Sequence, residues 1–276
     1  METVGVIGVG NMGSALIERQ RIAHVEQLAY DVDSAALERA RANGAEPATS
    51  AAELARSATL IDVVVRTDDE VLECTLGDHG VLAGARPGTL VLLHSTMLPQ
   101  TTRRVAEEAA KRDVQVIDAC MLSVPAQVRA GNLVFVVGGP EELFERAKPH
   151  LLTMAKEARH VGPLGAGNVA KLIRNMTSGA ETLILWEALQ LGEAAGMPYV
   201  QTLEFLRETQ GASILNRWKQ TWDENGVDVT PRVGHNVMGK DIPLAGELTR
   251  ILGLDLPIIE QLAAAGTRLA SSNHPA

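Results

Sequence analysis

Three closely spaced glycines near the start of the chain constrain its fold more than any other feature. The segment "VGVIGVGNMGSALIERQ", residues 4–20, places Gly8, Gly10 and Gly13 directly after a short apolar run and before an amphipathic stretch. This order predicts a strand, a tight turn and a helix. A G-x-G-x-x-G pattern alone matches many sequences by chance, so the surrounding sequence decides whether the turn has a chemical role.

The first half of the chain alternates short β-rich runs with amphipathic stretches. The predicted strands are Thr3–Ile7, Gln27–Tyr30, Thr59–Val65, Thr89–His94, Val114–Ile117 and Leu133–Val137. The clearest predicted helices are Ser34–Asn43, Thr101–Arg112 and Glu141–Met154, and Pro99 suits the first turn of the second of these. Such alternation predicts βαβ units and a mainly parallel sheet.

The strand signal stops at about residue 160. A single long helix is predicted from about Asn168 to Ala195, ended by Gly196 and Pro198. Further helices are predicted near 199–208, 213–223, 240–252 and 257–270. We therefore expect an α/β domain over residues 1–162, followed by an all-α domain over 163–276, with one long interdomain helix.

This context favours a dinucleotide site of the Rossmann type at the glycine turn. Gly8 permits the turn, Gly10 allows the backbone to approach a pyrophosphate, and Gly13 allows close packing of helix and strand. Asp31 ends the second strand near the distance at which an acidic residue meets the adenosine ribose. Its carboxylate would repel a 2′-phosphate, and no arginine follows it, so NAD is predicted over NADP. The alternative role for Asp31 is to cap the predicted helix Ser34–Asn43, but Asp33 or Ser34 would also serve as that cap.

Composition excludes several classes of protein. The net charge of −9 argues against nonspecific binding of nucleic acid. Two cysteines and seven histidines show no metal-ligand spacing, so no protein-bound metal is expected. The most apolar long segment, 176–195, contains three glutamates, and the first residues do not resemble a signal peptide. We expect a cytoplasmic protein without a membrane span.

A second glycine cluster lies at the predicted domain boundary, in "GPLGAGNVAKLIRN", residues 162–175. Its glycines predict a flexible approach to the long helix, which Asn168 would cap. Lys171 and Asn175 are four residues apart and share one helix face. The helix N-terminus and partial burial would lower the pKa of Lys171 towards acid/base use, although most helical lysines are simply solvated.

Four segments in this order resemble the β-hydroxyacid dehydrogenase family: "GVIGVGNMG", "HSTMLP", "GPLGAGNVAKLIRN" and "GKDIPLAGELTRILGLDLP". That family includes 3-hydroxyisobutyrate and tartronate semialdehyde-type reductases and is related to 6-phosphogluconate dehydrogenase. The resemblance implies a Rossmann domain, an all-α domain for substrate binding and dimerisation, and an active site in the cleft between them.

The resemblance also implies roles for individual residues. Lys171 matches the catalytic lysine and Asn175 the asparagine that orients the substrate. Thr96 matches a position contacting the cofactor near the nicotinamide, Lys240 a cleft lysine, and Met12 a residue packing beside the pyrophosphate turn. The residues expected to bind the cofactor are Gly8, Gly10, Asn11, Met12, Gly13, Asp31, Thr96 and Lys240. Asp241, beside Lys240, is expected to form only a surface salt bridge.

The sequence departs from the family at "DACMLSVPAQVRAGNL", residues 118–133. The family commonly has D-A-P-V-S-G-G there, and its serine and glycines bind the substrate carboxylate. This chain has Leu122 at the serine position, and Ser123 and Val124 at the glycine positions. Either Ser123 supplies the hydroxyl one position later, or the usual carboxylate site is absent. Arg129 or Arg174 would then be the groups available to hold the anion.

The function expected from the sequence is an NAD-dependent oxidoreductase that interconverts an alcohol and a carbonyl. The substrate is expected to be a β-hydroxyacid or a related molecule bound by Leu122, Ser123 and Asn175. One alternative is a reductase of imines or other carbonyl-like groups with the same fold. Another is a dinucleotide-binding sensor without turnover. A homodimer or homotetramer is expected.

Overall fold

The computed structural model describes residues 2–210 and 237–271, which divide into two compact units, 1–171 and 172–276. Within the described part of the first unit, eight strands form one sheet. They are β1 (Val4–Ile7), β2 (Gln27–Tyr30), β3 (Glu46–Pro47), β4 (Leu60–Val63), β5 (Leu90–Leu93), β6 (Gln115–Met121), β7 (Val134–Gly138) and β8 (Glu157–Gly162). Their order across the sheet is β3-β2-β1-β4-β5-β6-β7-β8.

The first six strands are parallel, whereas β7 is antiparallel to β6 and β8 is parallel to β7. The carboxyl ends of β1, β4, β5 and β6 therefore lie at one edge of the sheet, together with the start of β7. Ligands of open α/β sheets bind at this edge. The strands β1, β4 and β5 are buried at every residue, as expected for a sheet covered on both faces.

Helices cover both faces of this sheet. They are α1 (Asn11–Ile22), α2 (Ser34–Ala42), α3 (Ala51–Ser57), α4 (Asp68–Leu76), α5 (Val81–Gly84), α6 (Pro99–Ala110), α7 (Pro125–Arg129) and α8 (Glu141–Met154). Helices α1, α2, α7 and α8 contribute to one buried cluster, and α3 to α6 contribute to the other. Side chains of Asp33, Ser50 and Thr67 cap α2, α3 and α4 by accepting hydrogen bonds from backbone N–H groups.

A long helix, α9 (Ala166–Ala194), begins in the first unit and continues into the second. The remaining described part of the second unit contains α10 (Tyr199–Gln210), a π-helical turn (Val237–Asp241), α11 (Ile242–Ile251) and α12 (Pro257–Ser271). Among the helices of residues 2–210 and 237–271, none combines the length and apolar character that a membrane span requires. The helix predicted at 213–223 lies outside the described residues.

The predicted fold class, a Rossmann-type α/β domain followed by a helical region that starts with one long helix, is confirmed. The sequence analysis did not predict two of the strands. Strand β3 has only two residues, and β8 is the outermost strand on its side of the sheet, polar and without alternation of apolar side chains. Strand β6 also runs to Met121, beyond the predicted end at Ile117, because the buried Asp118 has hydrogen-bond partners. The domain boundary at 162/163 stays a prediction.

Candidate active site

The glycine turn has the geometry that its three glycines predict. Gly8 has a φ of +87°, a conformation that favours glycine, and a Cβ there would lie 2.8 Å from the Val64 backbone. A Cβ on Gly13 would lie 2.0 Å from the Gly8 carbonyl oxygen. A Cβ on Gly10, in contrast, would meet no atom within 4 Å. Gly8 and Gly13 are therefore required by the fold, whereas Gly10 leaves open space beside the turn.

Helix α1 begins at this turn without a side-chain cap. Gly10 is the capping residue, so no side chain there accepts a hydrogen bond from the first-turn N–H groups. Asn11 and Met12 are the first two helical residues, and the half-buried Met12 packs against the core. An uncapped helix N-terminus beside an open glycine is a favourable place for a phosphate group. These residues fit the pyrophosphate of a dinucleotide.

Asp31 lies just after β2 and reaches the glycine turn. Its Oδ2 accepts a hydrogen bond from the Val9 N–H at 2.7 Å, and its Oδ1 accepts one from the Asp33 N–H at 2.8 Å. The cap of α2 is Asp33, which accepts from the Ala35 N–H at 2.9 Å. Asp31 is thus not the helix cap, and its carboxylate lies against the glycine turn, where the sequence predicts the adenosine ribose.

Thr96 lies half-buried in the loop after β5, at the same edge of the sheet. The adjoining Ser95 hydroxyl donates to the Val65 carbonyl at 2.6 Å, and the His94 N–H donates to the Val63 carbonyl at 2.9 Å. This loop is therefore held against the loop that follows β4. Contact between Thr96 and a cofactor stays a prediction.

The second glycine cluster surrounds Asp118, a residue that the sequence analysis did not select. The Asp118 carboxylate accepts from the Gly165 N–H at 2.7 Å and from the Asn168 N–H at 2.8 Å. The predicted cap Asn168 is wrong: helix α9 starts at Ala166, and the Asn168 side chain instead accepts from the Thr102 hydroxyl at 2.7 Å. The anion at this helix N-terminus is Asp118, because a carboxylate satisfies several N–H groups at once.

Burial raises the pKa of Asp118 to about 6, even though hydrogen bonds from backbone N–H groups favour its charged form. The expected flexibility of the glycine cluster stays a prediction. A Cβ on Gly167 would lie 2.7 Å from the Asp118 Oδ2 atom, so this glycine is needed for close packing.

Lys171 lies in the second turn of α9 and is half-buried. Its Nζ donates a hydrogen bond to the Met121 carbonyl oxygen at 2.6 Å. Met121 is the last residue of β6, so the lysine amine lies at the carboxyl edge of the sheet, the edge that also carries the glycine turn.

The loop that departs from the family pattern, Leu122 to Val124, directly follows Met121. The Leu122 N–H donates to the Val134 carbonyl at 2.9 Å and extends the β6–β7 pairing. The Ser123 hydroxyl lies 3.4 Å from the Val124 carbonyl oxygen, and the Val124 side chain is exposed. Arg129, which the sequence analysis names as a possible partner of the substrate carboxylate, forms an ion pair with Glu18 at 2.9 Å.

In the second unit, Asn175 is buried and held by two charged side chains. Its Nδ2 donates to the Asp241 Oδ2 at 2.7 Å, and its Oδ1 accepts from the Arg174 Nη1 at 3.0 Å. The expectation that Asp241 forms only a surface salt bridge is wrong, because the residue is buried and its carboxylate accepts the bond from Asn175. Lys240 Nζ lies 3.9 Å from the Asp241 Oδ1.

The sequence analysis also missed a buried polar network next to the "HST" segment. Asp62 contacts His94 Nε2 through one oxygen and His150 Nε2 through the other, each at 2.8 Å. The Gln20 amide donates to the same carboxylate at 3.0 Å. Asp62 is the one charged residue of the apolar strand β4, and this could have indicated a buried polar network. Its partners could not be identified in the same way, because they lie far away in sequence. Over the described ranges, no three His, Cys, Asp or Glu side chains are grouped as metal ligands would be.

Two family profiles match successive parts of the chain. Residues 3–162 match the profile described as the NAD binding domain of 6-phosphogluconate dehydrogenase. Residues 165–275 match the one described as the NAD-binding of NADP-dependent 3-hydroxyisobutyrate dehydrogenase.

Individual relatives agree with these profiles. A probable mitochondrial 3-hydroxyisobutyrate dehydrogenase of Dictyostelium discoideum is 35% identical over 200 residues, which cover 71% of this chain and 61% of the relative. An NAD-dependent L-serine dehydrogenase of Pseudomonas aeruginosa is 30% identical over 94% of this chain and 89% of its own. The solved structure of Mycobacterium tuberculosis 3-hydroxyisobutyrate dehydrogenase with L-serine has a TM-score of 0.88 at 27% identity, covering 99% of this chain and 94% of that one.

Proposed function

This chain belongs to the 3-hydroxyisobutyrate dehydrogenase family of NAD(P)-dependent β-hydroxyacid dehydrogenases, and on that premise we propose that it transfers a hydride between NAD and the CH–OH group of a β-hydroxyacid or a related substrate. The observation that carries this proposal is the position of the Lys171 amine, 2.6 Å from the Met121 carbonyl oxygen. This amine, to which we assign the proton transfer, lies at the sheet edge that also carries the glycine turn. The family identity expected from the four sequence segments is confirmed.

Lys171 acts on the reacting oxygen of the substrate. In oxidation its amine accepts the hydroxyl proton, and in reduction its ammonium returns that proton to the carbonyl oxygen. When bound, the dinucleotide supplies the hydride chemistry. Asn175 orients the substrate oxygen through its amide, whose orientation is set by Asp241 and Arg174. The first N–H groups of α1, beside the open Gly10, would hold the pyrophosphate of that cofactor.

The proposed cofactor is NAD rather than NADP. Asp31 supports this choice, because its carboxylate would accept hydrogen bonds from ribose hydroxyls and would repel a 2′-phosphate. The carboxylate is held at the glycine turn by the Val9 N–H. The residue after it, Val32, is fully exposed and offers no positive charge.

The substrate is proposed to be larger or less acidic than the small hydroxyacids. A carboxylate needs hydroxyl and backbone donors at the loop after β6. The Leu122 N–H is already bonded to Val134, and Leu122 provides no hydroxyl. Burying a carboxylate without partners costs several kcal/mol. We expect poor activity on 3-hydroxyisobutyrate and glycerate.

A substrate panel with both cofactors tests the proposed function. Turnover of an alcohol or aldehyde, followed by the nicotinamide absorbance, is the expected result. Lys171→Ala should lower kcat by about 10²–10⁴-fold while the Kd for NADH stays within about twofold. Lys148→Ala, which removes a lysine on α8 paired with Glu145, is the matched control and should keep full activity. NADH binding without turnover on any substrate would instead indicate a sensor.

The loop is tested separately by the triple change Leu122→Ser, Ser123→Gly and Val124→Gly. We expect kcat/KM on the small acids to rise by at least about tenfold, the equivalent of about 1.4 kcal/mol. High kcat/KM on those acids in the unmodified enzyme would contradict the proposal and show that other groups hold the anion.

A homodimer or homotetramer is proposed as well. Two large aliphatic side chains of α9, Ile184 and Leu191, are 65% and 72% exposed, and exposed apolar groups of this size mark association surfaces when they cluster. Light scattering on the full chain tests this, and a monomer at working concentration would refute it. A cytoplasmic location stays a prediction.

A further inference from the structure

Asp118 lies within a buried strand, and its two oxygens are bonded to the start of α9: one to the residue just before the helix and one to its first turn. Oδ1 accepts from the Gly165 N–H at 2.7 Å, and Oδ2 accepts from the Asn168 N–H at 2.8 Å. A helix leaves its first N–H groups without partners inside the helix, so this one carboxylate satisfies groups that would otherwise be buried unpaired. Strand β6 and helix α9 are therefore joined at this point by polar bonds.

Neighbouring glycines leave this junction no room to change its spacing. A Cβ on Gly138 would lie 2.5 Å from the Asp118 Oδ1 atom, and one on Gly167 would lie 2.7 Å from Oδ2. Gly165, with a φ of +93°, turns the chain so that its N–H faces the carboxylate. The carboxylate is enclosed by backbone on both sides, which sets the position of the helix start relative to the strand.

The same strand contacts the same helix again one turn later. The Lys171 Nζ donates to the carbonyl of Met121, three residues after Asp118 on β6, and Lys171 is three residues after Asn168 on α9. The lysine amine and the carbonyl that it contacts therefore belong to the same helix and strand that Asp118 joins.

We propose that Asp118 is a positioning residue for the reaction: by binding the first N–H groups of α9, it holds the Lys171 amine at the end of β6. This inference rests on the proposed role of Lys171 in proton transfer. Asp118 itself touches neither substrate nor cofactor in this assignment. It acts through the helix that carries the lysine.

The test compares Asp118→Asn with Asn168→Ala. The first keeps the shape of the side chain but replaces one acceptor oxygen by an NH₂ group that faces an N–H donor. The second removes a side chain that braces the same turn through Thr102 and Cys120, yet keeps the backbone N–H that Asp118 binds. Trace acylation of the full-length apo-protein, read peptide by peptide by mass spectrometry, measures the reactivity of Lys171 relative to Lys148 within one sample.

We expect Asp118→Asn to change the relative reactivity of Lys171 by at least about threefold and to lower kcat by roughly 10–100-fold, with the Kd for NADH within about twofold of the unmodified protein. Asn168→Ala should leave the reactivity within about twofold. Unchanged reactivity and kcat in a folded Asp118→Asn protein would overturn the proposal and leave Asp118 a purely structural role.

Two further outcomes are decided by the same measurements. If Asp118→Asn does not fold, a change in Lys171 reactivity in Asn168→Ala overturns the proposal, because the backbone bonds to Asp118 are intact there. If Lys171→Ala keeps its turnover, the proposed function fails, whereas the acylation result still reports whether Asp118 positions the lysine.

Discussion

Replacing Asp62 by alanine should destabilise the protein strongly, because its carboxylate is the shared acceptor of three buried side chains. Asp62 is fully buried and contacts His94 Nε2 and His150 Nε2 at 2.8 Å each, and the Gln20 amide at 3.0 Å. The other ring nitrogen of His94 lies 2.6 Å from the Ala119 carbonyl oxygen, so both nitrogens of His94 face acceptors. Without Asp62, three buried donors lose their acceptor.

The expected loss follows from the cost of leaving one side of a buried charge pair unpaired, about 3–5 kcal/mol. For a chain of 276 residues this corresponds to a decrease in Tm of roughly 5–9 °C. Asp33→Ala is the matched control. It removes an exposed carboxylate that caps α2, which should cost only about 1 kcal/mol.

The loss should also depend on pH. Burial disfavours the charged form of Asp62, but the charge and hydrogen bond of His150, together with those of His94, outweigh burial and hold the pKa of Asp62 well below its ordinary 3.8. Burial likewise disfavours charged His150, yet Asp62 raises the pKa of His150 above its ordinary 6.5. The Asp62 carboxylate stabilises the folded protein above pH 3.8. The charged His150 imidazole stabilises it fully below pH 6.5, and this stabilisation is lost as the pH rises through the raised pKa of His150.

Urea denaturation of the unmodified protein and of Asp62→Ala at about pH 5.5 and about pH 8.5 tests the contributions of the Asp62 carboxylate and the His150 imidazole. The difference in free energy of unfolding between unmodified protein and Asp62→Ala should be larger at the lower of these pH values. A difference below about 1 kcal/mol at the lower pH, no larger than that of the surface control, would refute the inferred role of the carboxylate.

Three shorter predictions concern the cofactor turn and the second unit. Asp31→Ala should weaken NAD(H) binding by about tenfold or more and narrow its advantage over NADP(H), measured by titration; equal affinities in the unmodified protein would refute the assignment. Gly13→Ala should abolish dinucleotide binding and lower Tm, since its Cβ would lie 2.0 Å from a backbone oxygen, whereas Gly10→Ala should weaken binding at nearly unchanged Tm. Asp241→Asn should lower kcat by roughly 10–100-fold through loss of the charged acceptor of Asn175, with cofactor affinity retained; an unchanged kcat would exclude this role.

Local sequence determined six of the eight strands described in the first unit and the geometry of the glycine turn. Short apolar runs bounded by turn residues predict strands, and the spacing of Gly8, Gly10 and Gly13 predicts the close approach and the open side that the turn has. These features depend on residues within one strand, turn and helix, so a short segment contains the information that specifies them. The polar edge strand β8 was missed because its side chains do not alternate.

Tertiary structure alone decided which polar groups meet. Asp118 directly follows a predicted strand, yet it accepts hydrogen bonds from residues 47 and 50 positions away. Asp241 reads as a surface residue, yet it is buried against Asn175, 66 positions away. A buried carboxylate is stable only where packing brings donors to it, and the identity of those donors depends on how distant elements stack. Periodicity reports which face of an element is buried, but not which polar group from elsewhere in the chain lies against it.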